Sequence, residues 1–307
     1  MISVGLVGTG YWAETVHAVS IAACDGVDFS GIWGRNPAEC ERLAGAFGVQ
    51  AFGSLEALLA AVDVVDFSVP PPVQVAMAIE AAKAGKGLLL EKPVALSLPD
   101  AELLDSAVAA SGVAAVVYIP RFFDAGRVAW LRDQGGAGHT SGNVVWISDA
   151  LTPGSPYAHS AWRREGGGLW DVGPHILSQL IPVLGPIASV SVISHDSAGE
   201  THLSLLHHRG AESNVRMNVN GELTKKTFMF EFSGPRGSAR SPSEPLDYVA
   251  GHGKALAELR GQMETGIVVS DAWFSISASV EISRVLSTIN AVIQAGSRGV
   301  FVPVETP

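Results

Sequence analysis

Apolar residues in the first third of the chain form short continuous runs separated by helical patterns. Runs of strand length occur at Ile2 to Val7, Val64 to Val69 and Gly87 to Leu90, and the stretch from Pro37 to Phe47 has helical spacing. Continuous apolar runs that alternate with helices are typical of parallel strands covered on both faces. Residues 1–120 are therefore predicted to form an α/β Rossmann domain with a parallel sheet.

The pattern changes after Pro120. Apolar and polar side chains alternate over residues 215–219 and 228–232, and an apolar helical pattern runs from Trp273 to Gln294. Alternation with period two indicates antiparallel strands that place one face on a core. Residues 121–307 are therefore predicted to form an α+β domain with a mostly antiparallel open sheet, which binds substrate and mediates oligomerisation.

A glycine-rich turn joins the first strand to the first helix. Gly8, Gly10 and Ala13 form a Gly-x-Gly-x-x-Ala motif, the fingerprint of a dinucleotide-binding strand, turn and helix. Gly8 allows the tight turn, and Gly10 lets backbone N–H groups approach a pyrophosphate at the positive end of the helix. A ligand-free glycine turn is the alternative. A second strand, Asp28 to Trp33, ends where the adenosine ribose would lie, which favours the dinucleotide site.

The residues after this second strand bear on the choice of cofactor. An NAD site of this fold usually places an acidic residue about twenty positions past the glycine motif, and Gly34 aligns with that place. Gly34 leaves room for a 2′-phosphate, Arg35 can pair with it, and Asn36 could add a neutral hydrogen bond. The sequence therefore predicts NADP(H) over NAD(H). The alternative is that Arg35 is a solvated turn residue.

Length and charge narrow the class of function. The chain has 307 residues, enough for two domains, and its formal net charge of −10 argues against nucleic-acid binding. No apolar run reaches the roughly 18 residues of a membrane span, and Met1 leads directly into a core strand, so neither membrane nor signal peptide is expected and cytoplasm is the expected location. Cys24 and Cys40 give no disulfide framework, and the histidines near His207 lack partners at metal-ligand spacing, so no metal is expected.

The second motif is Glu91-Lys92-Pro93, at the carboxyl end of a predicted parallel strand. Open α/β sheets bind their ligands at that end. A residue before proline is held out of helical conformation, which would direct Lys92 into the ligand crevice. A solvated loop lysine is the alternative.

The third motif runs from Gly166 to His175 and contains Asp171 and Pro174. Pro174 suits the first turn of a helix that runs to about Leu184, which places His175 in that turn. A histidine near a helix N-terminus tends to stay neutral, as a general base must. Asp171, four residues earlier, could fix its tautomer and stabilise the imidazolium. The alternative is a capping aspartate with a packed histidine.

The three motifs, in this order, resemble the Gfo/Idh/MocA oxidoreductases, the glucose–fructose oxidoreductase and inositol dehydrogenase family. The resemblance covers nearly the whole chain and is densest over Val64 to Ala95. It implies a Rossmann domain followed by a mostly antiparallel sheet, with the nicotinamide between them. It further implies hydride transfer between NAD(P) and a carbinol or carbonyl of a sugar, polyol or related cyclic compound, a small-molecule substrate. Lys92 and His175 would act in proton transfer, with Asp171 in support, and the Lys92–Pro93 bond would be cis.

The resemblance also implies which residues surround the ligands. Those expected at the cofactor are Gly8, Thr9, Gly10, Tyr11, Trp12, Gly34, Arg35, Asn36, Ser68, Pro70, Gln74, Glu91, Lys92, Pro93, Trp162 and Arg163. Those expected at the substrate are Lys92, Arg121, Asp171 and His175. The sequence departs from the family at Gln74, where histidine is common, and at Ser178, where an aspartate often binds a substrate hydroxyl.

Two further expectations concern activity and assembly. A catalytically silent cofactor-binding regulator of the same fold is the rival function, and the joint presence of Lys92, Asp171 and His175 speaks against it. The second domain's sheet can cover one face with its own helices, and a large apolar face is rarely left exposed. A homodimer or homotetramer is therefore expected.

Overall fold

The structure is a computed structural model that describes residues 1–221, 226–267, 269 and 272–306. It divides into two compact units. Unit 1 contains Met1–Asp124 and Leu246–Val280, and unit 2 contains Ala125–Pro245 and the chain from Glu281 onward. The predicted division at residue 120 therefore differs from the structure, because the chain returns to the first unit after residue 245.

Unit 1 is built on one parallel sheet. Its elements before residue 124 are β1 (Ile2–Val7), a π-helical turn (Ala13–His17), α1 (Ala18–Ala23), β2 (Val27–Trp33), α2 (Pro37–Phe47), β3 (Gln50–Ala51), α3 (Leu55–Ala61), β4 (Val64–Phe67), α4 (Pro71–Lys83), β5 (Gly87–Glu91), α5 (Leu98–Ser111), β6 (Ala115–Tyr118) and a 3₁₀ helix (Pro120–Phe123). The strand order is β3-β2-β1-β4-β5-β6, and every pairing is parallel. This confirms the Rossmann prediction and places the reversal of strand order between β1 and β4, where such sheets bind nucleotides.

Local sequence signals explain most helix boundaries in unit 1. The side chains of Asn36, Ser54 and Ser97 each accept hydrogen bonds from backbone N–H groups in the first turns of α2, α3 and α5. Such caps satisfy donors that have no partner inside the helix. Helix α4 begins at Pro71, because proline fits the first turn without losing a hydrogen bond.

Unit 2 is built on a mixed sheet. Its elements are α6 (Ala125–Gly135), β7 (Ser141–Ile147), α7 (Ala161–Leu184), β8 (Ile187–His195), β9 (Thr201–His207), β10 (Glu212–Asn218), β11 (Thr227–Gly234), β12 (Gly237–Arg240) and β13 (Val302–Pro303). The order is β12-β11-β7-β10-β9-β8-β13, with one parallel pair, β7 with β10. The other pairings are antiparallel, which confirms the predicted mostly antiparallel sheet.

Helix α8 (Tyr248–Thr265) was not apparent from the sequence pattern. It belongs to unit 1, where it packs against α1, β5 and β6. Glycines such as Gly251 and Gly253 lower its helix propensity and obscure its apolar stripe. At Gly251 a Cβ atom would lie 3.2 Å from the Tyr118 hydroxyl, so a small residue permits this packing. Asp247 caps the helix through the backbone N–H of the third helical residue.

Helix α9 (Ile276–Gln294) closes the helical part of the chain and contributes its first residues to unit 1 and the rest to unit 2. Among the described residues it is the one helix long and apolar enough to cross a membrane. Half of its most apolar window, 50%, is buried within the protein. A core helix has the same length and composition, so this is weak evidence for a membrane span.

The face of the unit 2 sheet opposite α7 carries both apolar and polar side chains at its centre, where Val145 and Met229 are paired across β7 and β11. Asn143, Asn214, Arg216 and Glu231 share that face by strand register. Arg216 forms an ion pair with Glu200 there, with a shortest separation of 3.1 Å. The homodimer or homotetramer, expected on the basis of an apolar second face, stays a prediction.

Candidate active site

The glycine turn after β1 is shaped by close backbone packing on one side and open space on the other. Gly8 has φ of 135°, and a Cβ atom there would lie 2.3 Å from the carbonyl oxygen of Ser68, just after β4. Glycine is therefore required where the two strand ends meet. A Cβ atom at Gly10 would meet nothing within 4 Å. This open side, next to the N-terminus of the following helix, fits the pyrophosphate of a dinucleotide.

The residues after β2 include one cation, Arg35, at the expected ribose site. A Cβ atom at Gly34 would lie 2.6 Å from Thr9 Cγ2, so this strand end packs tightly on the glycine turn. Arg35 is exposed and forms no ion pair with any residue that the structure describes. The Asn36 side-chain oxygen accepts from the Ala38 backbone N–H at 3.1 Å and so already serves as the cap of α2. Of the predicted ribose-binding side chains, Arg35 is the cation, while the cap uses the oxygen of Asn36 and not its amide donors.

Lys92 follows the buried strand β5, and its bond to Pro93 is cis, as predicted. Gln74 holds the end of this strand. Its amide donates to the Glu91 carbonyl at 2.8 Å and accepts from the Glu91 backbone N–H at 2.9 Å. Gln74 is fully buried, so the expectation that it contacts the cofactor is corrected: both ends of its amide are used on the backbone before Lys92.

The Glu91 side chain connects this strand end with the helical segment after the glycine turn. Its Oε1 atom accepts from Trp12 Nε1 at 2.9 Å and lies 3.2 Å from His17 Nε2. Its Oε2 atom accepts from the Lys92 backbone N–H at 3.2 Å. The indole N–H of Trp12, a residue expected at the cofactor, is therefore committed to Glu91.

Three buried side chains, here called the Asp66 cluster, lie beneath this strand end: His17, Asp66 and His252. His17 Nδ1 lies 3.0 Å and 3.1 Å from the two Asp66 carboxylate oxygens, and His252 Nε2 lies 3.1 Å from Oδ2. All three residues are fully buried. Sequence analysis missed the cluster because its members come from three distant segments, and none carries a local motif. An aspartate inside an otherwise apolar strand, as in Val-Val-Asp66-Phe, was the one available signal.

The charges in the Asp66 cluster follow from its burial. Burial alone would lower the pKa of His17, but the charge of Asp66 and hydrogen bonds to Asp66 and Glu91 raise it to about 9. Burial alone would raise the pKa of Asp66, but the neighbouring His17 and His252 hold it well below its usual value. Burial lowers the pKa of His252. At neutral pH the cluster therefore contains an aspartate, a charged His17 and a neutral His252.

In unit 2, Asp171 and His175 lie inside helix α7. Its regular geometry is interrupted at Gly167, with φ of 60° and ψ of −159°, and resumes at Gly168. The predicted helix start at Pro174 is therefore wrong, because the glycine kink sets the start. His175 lies about two turns from that start, too far for the helix terminus to keep its imidazole neutral. Their spacing of four residues still places Asp171 and His175 on one face.

Arg163 is the ion-pair partner of Asp171, across 3.1 Å from Nε to Oδ1. Its guanidinium carbon lies 4.3 Å from the Tyr157 ring centroid and 4.4 Å from that of Trp162. Two aromatic contacts and a buried carboxylate fix this arginine in orientation. The sequence indicated Trp162 and Arg163 as cofactor positions but did not indicate the ion pair between Arg163 and Asp171.

His175 stacks on Trp146 of β7, with ring centroids 5.3 Å apart and ring planes 5° apart. Phe228 packs edge-on against the same indole at 5.0 Å. Ser178, which stands where the family often has aspartate, is buried and donates to the His175 carbonyl at 2.9 Å. Its hydroxyl is turned to its own helix. Arg121, expected at the substrate, lies with Lys92 in unit 1, in the 3₁₀ helix after β6.

The parallel sheet, the open glycine turn at its switch point and the strand-end lysine define a dinucleotide-binding Rossmann protein. Residues 2–119 match the family described as "Oxidoreductase family, NAD-binding Rossmann fold". This match covers the first domain, less than half of the 307-residue chain, and agrees with the resemblance to the Gfo/Idh/MocA oxidoreductases.

The chain is also similar to curated oxidoreductases. The uncharacterised oxidoreductase YdgJ of Escherichia coli is 28% identical over 199 residues, which are 62% of this chain and 56% of YdgJ. UDP-N-acetylglucosamine 3-dehydrogenase of Acidithiobacillus ferrooxidans is 32% identical over 132 residues, which are 43% of this chain and 41% of that enzyme. The matched part thus spans about half the length of these relatives.

The fold is shared with solved structures along its whole length. The WlbA dehydrogenase from Bordetella pertussis, solved with NADH and UDP-GlcNAcA, has a TM-score of 0.83 at 21% identity. The similarity covers 100% of this chain and 99% of that one. At this identity the likeness shows the two-domain fold.

Proposed function

We propose that this protein is an NAD(P)-dependent dehydrogenase that transfers a hydride between nicotinamide and a carbinol or carbonyl carbon of a sugar, polyol or related cyclic compound. The observation that carries the proposal is the placement of Lys92. It lies at the carboxyl end of β5, in the same unit as an open glycine turn, on a strand end held by Gln74 and Glu91. A lysine presented in this way suits charge stabilisation at a reacting oxygen.

Each residue has a distinct task in the oxidation direction. The glycine turn would bind the pyrophosphate, and the bound cofactor would supply the hydride acceptor. His175 takes the proton of the substrate hydroxyl as general base. Lys92 donates a hydrogen bond to the same oxygen and stabilises its developing negative charge. Asp171, on the same face of α7, stabilises the imidazolium formed at His175.

The cofactor preferred by this protein is NADP(H) over NAD(H). Gly34 provides no carboxylate to repel a 2′-phosphate, and Arg35 is exposed without an ion-pair partner among the described residues. An arginine fork at this place suits a phosphate. The NADH in the WlbA complex belongs to a protein of 21% identity and does not determine the preference here.

The substrate is a sugar or a sugar derivative, and a nucleotide sugar is the first candidate. The relative from Acidithiobacillus ferrooxidans is named for action on UDP-N-acetylglucosamine. Ser178 supports this choice over free inositol, because its buried hydroxyl does not replace the family's hydroxyl-binding carboxylate. Cytoplasmic location and a homodimer or homotetramer complete the proposal.

A substrate screen with both cofactors tests the function. Reduction of NAD and NADP would be followed by absorbance with UDP-N-acetylglucosamine, free aldoses and cyclic polyols as substrates. Wild-type protein should turn over at least one sugar, with Lys92→Met reduced at least about 100-fold while cofactor affinity is retained. The rival regulator predicts cofactor binding without turnover, and Lys92→Met would then leave the biological activity intact.

A further inference from the structure

The glycine turn and the lysine-bearing strand end share one carboxylate, that of Glu91. Trp12 and His17, from the helical segment after the glycine turn, both contact its Oε1 atom, at 2.9 Å and 3.2 Å. The Lys92 backbone N–H donates to its Oε2 atom at 3.2 Å. One side chain therefore connects the proposed cofactor-binding segment with the proposed catalytic lysine.

His17 uses both ring nitrogens on carboxylates. Nδ1 lies 3.0 Å from Asp66 Oδ1, and Nε2 lies 3.2 Å from Glu91 Oε1. An imidazole can donate from both nitrogens only when it is charged. The ring is fully buried, so no water competes for either donor. The geometry thus calls for an imidazolium, and the raised pKa of His17 agrees with it.

Among the described residues that contact His17, none is a second cation. The titratable groups that face it are Asp66 of β4, Glu91 of β5, Tyr118 of β6 and His252 of α8. Burial raises the pKa of Tyr118 and lowers that of His252, so both are neutral at pH 7. Within this described set, the two carboxylates depend on His17 for their counter-charge.

We propose that His17 is a positioning residue for Lys92. Its imidazolium ties Glu91 to Asp66 and so fixes the carboxylate that receives the Lys92 backbone N–H. The π-helical turn that ends at His17 is a rare geometry that is frequent at functional sites. The inference rests on the proposed function for the role of Lys92, whereas the anchoring of its backbone is independent of any substrate.

A bound metal is the competing explanation of the Asp66 cluster. The potential ligand atoms of His17, Asp66 and His252 lie within 4.8 Å of one another. However, His17 Nδ1 lies at hydrogen-bond distance from both Asp66 carboxylate oxygens, 3.0 Å and 3.1 Å away, where its proton is shared directly with the carboxylate. A metal-bound nitrogen carries no proton to share, so the two explanations exclude each other.

A matched pair of variants, His17→Gln and His252→Gln, separates positioning from stability. Each removes a fully buried imidazole beside Asp66, but only His17 also contacts Glu91. Hydrogen exchange of the Lys92 backbone N–H would be measured by NMR, relative to the β5 amides of Leu89 and Leu90. His17→Gln should accelerate exchange at Lys92 by about tenfold over these references, as expected for a lost charge-assisted hydrogen bond. His252→Gln should leave that ratio unchanged.

Turnover provides the second measurement. With a substrate from the screen, His17→Gln should lower kcat about tenfold and leave the KM for cofactor within about threefold. His252→Gln should retain its kcat at temperatures where it is folded. If wild-type protein turns over no substrate, the proposed function fails, while the exchange ratio still decides whether His17 anchors Lys92.

Three results would overturn the inference. One is an unchanged Lys92 exchange ratio in His17→Gln, and another is an equal increase in both variants. The third is one equivalent of a transition metal in purified wild-type protein that is lost from both variants. If His17→Gln does not fold, Glu91→Gln removes the carboxylate charge that His17 contacts and leaves the Asp66 cluster intact. This variant should show the same acceleration of hydrogen exchange at the Lys92 N–H.

Discussion

Arg163 and Asp171 form an ion pair that bridges the kink of helix α7, with Arg163 Nε 3.1 Å from Asp171 Oδ1. The two residues lie before and after Gly167, where the helix is interrupted. The carboxylate is buried, and the guanidinium lies between two aromatic rings. The pair therefore orients the segment from which His175 projects. It also gives Asp171 a structural partner besides its proposed role in proton transfer.

Breaking this pair should destabilise unit 2. Arg163→Leu removes a cation from a buried carboxylate and should lower the free energy of unfolding by about 3 kcal/mol. The double variant Arg163→Leu, Asp171→Leu should recover much of that loss, because no buried charge remains. Arg164→Leu is the matched control: Arg164 is exposed, and its change should cost less than about 1 kcal/mol. Chemical denaturation measures all three, and equal losses at positions 163 and 164 would contradict the assignment.

The cofactor preference can be reversed at the end of β2. Gly34→Asp places a carboxylate where the 2′-phosphate of NADPH would lie and should weaken NADPH binding by at least about tenfold relative to NADH. Gly34→Ala introduces the same contact with Thr9 without charge, so it isolates the steric part. Arg35→Ala should weaken the binding of NADPH by a similar factor and leave the binding of NADH nearly unchanged. Fluorescence titration gives the dissociation constants, and tighter NADH binding by wild type would refute the NADP(H) proposal.

Stability should fall at alkaline pH through His17. Its folded pKa of about 9 lies above the ordinary 6.5, so its contribution is full below about pH 6.5 and is lost as pH rises through about 9. For this fully buried group the shift corresponds to about 3 kcal/mol. The pKa of Asp66 is lowered, so its contribution to stability is full above its ordinary pKa of 3.8 and is lost as the pH falls. Thermal unfolding from pH 6 to pH 10 should show the alkaline loss in wild type, and a pH-independent curve would contradict it. The loss should be absent in His17→Gln.

The stack between Trp146 and His175 should matter for turnover. Trp146→Leu removes an aromatic pair worth about 1 kcal/mol that orients the imidazole, so kcat should fall about fivefold to tenfold. Trp146→Phe keeps a stacking partner and should remain within about threefold of wild type. Cofactor affinity serves as the control and should stay constant in both. A Leu variant with wild-type kcat would show that the stack is mere packing.

Tertiary structure changed the interpretation of several residues that the sequence had correctly singled out. Gln74 stands at a position expected near the cofactor, yet its burial gives it the backbone of Glu91 instead. The start of the helix that carries His175 was misplaced, because proline is favoured in a first turn but is also tolerated inside a helix when packing compensates. The glycine kink at Gly167 decided where that helix resumes.

The sequence by itself determined the parallel sheet and the glycine turn, because these depend on consecutive residues whose backbone preferences and apolar period are local. The cis Lys92–Pro93 bond was expected from the family resemblance and is present in the structure. Only the tertiary structure decided that α8 returns to unit 1 and that His17, Asp66 and His252 meet. Such pairings join positions more than forty residues apart. They are selected by the cost of burying a charge without a partner, a cost that exists only once the core has formed around it.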